Sequence, residues 1–316
     1  MLINILILIL IVLIAIFFAW LTRRAWKARS PILKWIGALL GGLLTLLAAF
    51  IAVLTAVGMF KFYGPQNPPI PDLKVDGTPE QIARGQHLAS AFCVDCHSTN
   101  QDFPMTGGVD MGQELPVPLG QFYSVNLTPA GPLKDWSDGQ IFRAIRYNVD
   151  KDGHPLSFMA KTNVRYLADE DIVAVIAFLR SQEPVEHVTP LPPDRPSLLG
   201  FILAGLNFPP APPTVKGVIT APPKASTQEY GKFMTTFLDC TACHGPDLSG
   251  GTSPVTPKGP SLRVVKDWTV DQFIATLRTG KTPDGHELSG AMPWRSTGHL
   301  DDVELGALYS YLVSLP

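Results

Sequence analysis

The chain has 316 residues, of which 46% are hydrophobic and only 16% charged, against the roughly 25% charged that soluble domains carry. Its first 61 residues hold six Lys and Arg and no acid, which leaves 19 bases against 27 acids, a formal −8, on the remainder. An acidic body of this kind argues against nucleic acid and favours basic partners, chiefly through association rate.

The apolar excess sits at the N-terminus. Every residue from Ile5 to Leu21 is apolar, and a second run from Trp35 to Phe60 is broken only by Gly37, Gly41, Gly42, Thr45, Thr55 and Gly58. Each run reaches or approaches the ~20 residues that a helix needs to cross a bilayer core. Met1 to Asn4 lacks the basic side chains that open a signal peptide, so the first run is expected to be a retained span. Arg23, Arg24, Lys27, Arg29 and Lys34 make the intervening loop basic, which places it in the cytoplasm and both termini outside. Trp20, Trp26 and Trp35 fall at that interface, and Phe60, Phe62 and Tyr63 at the other. Gly37-x-x-x-Gly41 and Ala38-x-x-x-Gly42 give the second span a face of small residues. That face is expected to pack against the first span rather than dock a partner subunit.

The hairpin occupies 1–62 and a proline-containing linker 63–79. Two blocks follow, at 80–184 and 225–316, separated by a linker over 185–224. Eleven of the forty residues from Pro184 to Pro223 are proline. Inside that linker an apolar island, Leu198 to Phe208, is too short to span, and is expected to pack between domains rather than anchor to a membrane surface.

The two blocks repeat one plan. Thr78-Pro79-Glu80-Gln81 opens the first with a capping-box pattern, and Ser226-Thr227-Gln228-Glu229 reads the same way in the second. Trp136-Ser137-Asp138-Gly139-Gln140 matches Trp268-Thr269-Val270-Asp271-Gln272, Arg146 matches Arg278, and Asp152-Gly153-His154 matches Asp284-Gly285-His286, all at an offset of 132. Ile172, Val175, Ile176 and Leu179 form a one-sided helical stripe that Leu305, Leu308, Tyr309 and Leu312 repeat at an offset of 133. Strand-like alternation is missing, so this part is expected to be all-α.

The four cysteines fall in Cys93-Val94-Asp95-Cys96-His97 and Cys240-Thr241-Ala242-Cys243-His244. Cys-x-x-Cys-His is the attachment signature of c-type haem. Two thiols about one helical turn apart add to the haem vinyl groups, and the adjacent imidazole reaches iron. A disulfide, a zinc site and a redox-active dithiol are the competing chemistries. Two copies, each behind a capped helix and outside the membrane, with no cysteine left over, favour haem in both. His97 and His244 are then iron ligands, and Met159 and Met292 the candidates for the opposite face. These methionines share the offset of 133 and stand at equal distances before the terminal helices. His154 and His286 are the rival ligands, otherwise surface-turn residues, and His87 is expected to be exposed. Met105 and Met111 are placed in the crevice lining, Met59 and Met234 in cores. Trp136, Trp268 and Phe273 are available to pack on the haem edge, and Arg143, Arg146 and Arg278 either to pair with propionates or to stand as ordinary helix-surface charges. Gly85 and Gly231 are expected to let the first helix of each block approach the last, against Phe178 and Tyr311. The Gly259-Pro260-Ser261-Leu262 segment supplies a carbonyl for the second nitrogen of His244, with no clear counterpart in the first block.

Each block resembles a class I cytochrome c domain in its first helix, its Cys-x-x-Cys-His, its methionine and its aromatic-bearing last helix. The first block, with Asn126-Leu127-Thr128-Pro129, Trp136-Ser137-Asp138 and Leu167-Ala168-Asp169-Glu170-Asp171, is similar to modules in the cytochrome subunits of bacterial membrane alcohol and gluconate dehydrogenases. The chain departs from those subunits in having two such domains rather than three and a hairpin at its N-terminus. The resemblance implies a membrane-anchored dihaem electron carrier at the outer face of the cytoplasmic membrane, serving respiratory or photosynthetic redox partners. The alternatives are a haem enzyme such as a dihaem peroxidase, or the cytochrome subunit of a membrane dehydrogenase. No nucleophile-and-base pocket, phosphate loop, or flavin or nicotinamide fingerprint points to a small-molecule substrate.

Overall fold

A computed structural model describes residues 1–190, 192–208, 210, 213–253 and 256–316. In chain order the helices are α1 (Leu2–Ala25), α2 (Pro31–Tyr63), α3 (Pro79–Leu88), α4 (Val94–His97), α5 (Asp138–Tyr147), α6 (Asp169–Ser181), α7 (Leu198–Gly205), α8 (Gln228–Phe237), α9 (Cys240–His244), α10 (Val270–Thr279), α11 (Trp294–Thr297) and α12 (Asp302–Ser314). A two-stranded ribbon, β1 (Gly120–Phe122) with β2 (Asp194–Pro196), is the sheet among the described residues. The chain divides into two compact units. One comprises Met1–Gly64, Pro118–Gly120 and Pro196–Ala211, and the other comprises the rest.

In the first unit, α1 and α2 have 24 and 33 residues, about 36 and 50 Å at 1.5 Å per residue. Both are long and apolar enough to cross a membrane. None of the α1 residues is buried, so its apolar surface stays exposed. The small-residue face of α2 packs inward: a side chain at Gly37 would meet the Ala25 methyl at 2.7 Å, and one at Gly41 the Thr22 hydroxyl at 2.5 Å. Gly42, by contrast, faces open space. Asn4 donates to the Tyr63 hydroxyl at 2.8 Å and closes the other end of the hairpin.

The apolar island does not pack between the two repeat blocks. It forms α7 and lies on α2, where Gly58 and Gly205 have no room for a side chain against the Phe201 and Leu54 carbonyls. Phe201 is buried and its ring meets those of Phe62 and Tyr63 with centroids 5.9 Å away. An eight-residue helix of mostly apolar side chains gains most where glycines let backbones approach, and α2 offers that surface. Of the linker expected over 185–224, Leu191, Pro209, Ala211 and Pro212 lie outside the described residues.

The second unit holds both repeat blocks. In the first block α3 crosses α6, and in the second α8 crosses α12. At the crossings a side chain at Gly85 would collide with the Ala174 carbonyl and the Phe178 Cβ, and one at Gly231 with the Ala307 carbonyl and the Tyr311 Cβ. The expected glycine contacts are therefore present. Thr78, Ser137 and Thr269 form reciprocal capping boxes with Gln81, Gln140 and Gln272. The second block starts one residue later than its sequence pattern suggests. Thr227 is the cap, bonded to the Tyr230 N–H, so Glu229 does not close a box. Ser226 instead donates to the Val303 carbonyl.

A buried carboxylate ties the blocks together. Glu304 of α12, whose side chain is 1% exposed, lies 2.8 Å from Arg84, 2.5 Å from His87 and 3.1 Å from Lys224. Arg84 also reaches Asp171 of α6 at 2.8 Å. His87, expected to be exposed, is half-buried because Glu304 holds its ring. Burial opposes ionisation of Glu304, but hydrogen bonds and charge from His87 and Arg84 outweigh it and hold its carboxyl well below the usual 4.5. A depressed folded-state pKa contributes stability that is present above the unfolded value and lost as pH falls through the folded one. The difference in unfolding free energy between wild type and Glu304→Gln should therefore be larger at neutral pH than in acid. It should shrink steadily as pH falls below about 4.5, which denaturant titrations at a series of pH values will test.

Candidate functional site

In the first block, α3 runs through a π-type turn over Ala89–Cys93 directly into α4, which carries Cys96 and His97. In the second, α8 ends at Phe237, Asp239 takes a left-handed turn with φ 59°, and α9 carries Cys240, Cys243 and His244. The helical geometry puts the two thiols of each pair one turn apart. All four cysteines are free, so the disulfide reading is not met. Burial pushes the Cys93, Cys96 and Cys240 thiols up to about 12, and Cys243 upward as well. A redox-active dithiol carries the opposite shift.

Both histidines are oriented by the backbone. His97 Nδ1 lies 2.9 Å from the Val125 carbonyl and His244 Nδ1 lies 2.7 Å from the Pro260 carbonyl. A carbonyl only accepts, so each Nδ1 carries a proton, and in the neutral ring that leaves the Nε2 lone pair for a metal. Burial lowers the His97 pKa, against the hydrogen bond to Val125, which favours the neutral ring that ligation requires. The return loops are pinned alike: Gly107 N–H bonds to the His97 carbonyl and Gly250 N–H to the His244 carbonyl, both at 2.8 Å. Gly259 lies against the His244 ring, where a Cβ would stand 2.6 Å from Nδ1. Pro260 was legible in the sequence. Val125 was not, although Val125-Asn126-Leu127 and Pro260-Ser261-Leu262 share the leucine two residues on.

Met159 opens a 3₁₀ turn and Met292 lies in the turn before α11, its N–H bonded to the Ser289 carbonyl at 3.0 Å. Both are partly buried against the core. Met105 and Met234 are fully buried, and Met59 and Met111 nearly so. His154 and His286 are exposed, and His154 bonds Asp150 at 3.3 Å. The matched turns carry Gly153 and Gly285 at φ 90° and 87°, a conformation that favours glycine.

The arginines divide into two kinds. Arg146 and Arg278 make equivalent contacts, each donating to a backbone carbonyl (Arg165 and Gly298) and to an acid in the first turn of its terminal helix, Asp169 at 2.5 Å and Asp302 at 3.0 Å. They are occupied as internal braces. Arg143 and Arg165 are each 4% exposed, and each leaves a buried Nε without a partner, as does the Asn148 side-chain amide. Orphaned buried donors are costly, and these fit the anionic propionate edge of a haem. The thiol pairs, the neutral imidazoles with free Nε2 and the partly buried thioethers fit the rest of that group. Arg165 was missed in the sequence because it has no counterpart at the repeat offset, where Gly298 stands.

Residues 82–183 match the family described as Cytochrome c, and residues 228–312 the one described as Cytochrome C oxidase, cbb3-type, subunit III. The chain is similar to a nicotinate dehydrogenase subunit of Pseudomonas putida, 30% identical over 63% of this chain and 18% of that protein. It is similar to the fructose dehydrogenase cytochrome subunit of Gluconobacter japonicus, 24% identical over 74% of this chain and 52% of that one. A diheme cytochrome c-type protein of Cereibacter sphaeroides is 24% identical over 76% of this chain and 88% of its own length. The chain thus spans about half or less of the first two relatives.

The tight seat of His244 gives a direct test. In Gly259→Val the new side chain should force the ring off the Pro260 carbonyl, and the Nδ1–H signal in the NMR spectrum of reduced protein should broaden or be lost. Gly290→Val, at a position with open space, should leave that signal in place.

Proposed function

On the premise that this chain is a tandem of two cytochrome c domains with two c-type haems, we propose that it is a membrane-anchored carrier that passes single electrons between redox proteins. The observation that carries this reading is the pair of histidines, each with Nδ1 committed to a backbone carbonyl and Nε2 left free. Cys93 and Cys96 would hold the first haem by thioether bonds, and Cys240 and Cys243 the second. His97 and His244 would be one protein ligand of each iron, and Met159 and Met292 the second. The bound group supplies a one-electron iron couple. With one histidine and one methionine offered to each iron, the chain would suit outer-sphere electron transfer rather than bond-making chemistry. Arg143, Arg165 and Asn148 present their orphaned donors to a propionate edge.

The α1–α2 hairpin anchors the chain in the cytoplasmic membrane, with the basic loop inside and both haem domains on the extracytoplasmic side. The partners are redox proteins at that membrane. A dehydrogenase is the best-supported donor, because relatives of this chain are named as dehydrogenase cytochrome subunits.

Axial identity is a strong lever on haem potential, and thioether ligation raises it. Met292→His should therefore lower the midpoint potential of one haem while covalent haem content stays at two per chain. Met159→His should lower the other, nearly independently. A redox titration in which neither substitution moves a potential would remove both methionines from the ligand set.

A further inference from the structure

The two blocks meet through residues that the repeat itself relates. Asp171 and Glu304 are equivalent at the offset of 133, as are Asn163 and Ser296, while Arg84 and Tyr230 correspond at the offset that relates Gly85 to Gly231. At the centre of the contact Arg84 spans the equivalent acids of the two terminal helices, Asp171 at 2.8 Å and Glu304 at 2.8 Å, and reaches the Tyr230 hydroxyl at 3.5 Å. On one side Asn163 donates to Asp239 at 2.6 Å, and on the other Ser296 donates to Asp95 at 2.6 Å. Each donor stands four residues after a candidate methionine ligand of its own block. Each acceptor belongs to the other block's cysteine segment: Asp95 lies between Cys93 and Cys96, and Asp239 directly precedes Cys240. Between these contacts the rings of Phe92 and Phe237 meet with centroids 6.0 Å apart.

Reciprocal contacts of this kind are not what two independently tethered domains produce. Domains joined by a linker move relative to one another unless their interface holds them. Here the polar groups are partly or fully buried, Ser296 completely, so each is stabilising only while its partner stays in place. Asp239 also keeps a left-handed backbone, φ 59°, unusual outside glycine, and the bond from Asn163 holds its side chain there. Hydrogen-bonded polar pairs add registry more than affinity.

We propose that Asn163, Asp239, Ser296, Asp95 and the central Arg84 form a pseudo-twofold clasp that fixes the two haem-attachment segments against each other, making them one coupled pair rather than two independent carriers. These side chains are positioning residues. The proposal rests on the reading that each Cys-x-x-Cys-His holds a haem.

The test uses the full-length protein in detergent, with three readouts: covalent haem count, Soret circular dichroism and thermal unfolding. Wild type should hold two haems, give the bisignate dichroism of two chromophores held in fixed mutual orientation, and unfold in one transition. The Asn163→Ala/Ser296→Ala double variant should keep two haems yet lose the bisignate signal and unfold in two separate steps. Arg84→Gln should do the same. Asp239→Asn, which keeps an acceptor for Asn163, should preserve the wild-type signal. Unchanged dichroism and a single transition in both the double variant and Arg84→Gln would overturn the clasp. A wild-type count below two haems would overturn the premise and the proposal with it.

Discussion

An imidazole can serve a haem iron from one face only if it is neutral, fixed in orientation and bare at the outward nitrogen. Two hydrogen bonds meet that demand here, from His97 Nδ1 to the Val125 carbonyl and from His244 Nδ1 to the Pro260 carbonyl. Much of each block can be understood as the means of making that bond. The chain has to leave the histidine, travel around the crevice and bring a carbonyl back beneath the ring. Glycines permit the return: Gly107 closes against Val125, and Gly259 lies flat on the His244 ring. The histidines themselves are held by helices whose first and last members cross at Gly85 and Gly231, close enough that no side chain fits.

Much of this was readable from the chain because it depends on local pattern. Capping hydroxyls followed by Gln at the third position appear as capping boxes at Thr78, Ser137 and Thr269. The constant offset of 132 to 133 aligns turns, arginines and terminal helices from the residues alone. The failures have equally plain causes. Thr227 and Ser226 are both acceptable caps, and the choice between them was made by a distant contact of Ser226 with Val303. The brace that Arg146 makes was not legible, because its partners, the Arg165 carbonyl and Asp169, lie in another segment. His87 looked exposed because its partner, Glu304, is 217 residues away. The island at α7 lies against Gly58 of α2 and turns its own Gly205 to Leu54, a pairing that composition could not assign. Local chemistry is written in local sequence, while the partner of a buried charge is not.

The duplication does more than double the cofactor. Equivalent acids, Asp171 and Glu304, come to lie on either side of a single guanidinium, so an internal repeat has become an internal interface. Glu304 serves three tasks at once, capping α12 by bonding the Asp301 N–H, accepting from Arg84, and holding His87. A buried carboxylate with that many donors is stable only as long as all of them stay, which couples the packing of one block to that of the other.

On the proposed reading each block holds a haem whose iron has one histidine and one methionine ligand. Near-infrared magnetic circular dichroism of the fully oxidised protein tests that ligand set, because the thioether-to-iron charge-transfer band reports the sixth ligand. The expected result is that band, with an intensity corresponding to two low-spin His/Met haems per chain. Bands of two bis-histidine haems would contradict the assignment of Met159 and Met292 and return His154 and His286 to the iron, while a high-spin haem would point to an open position and to catalysis.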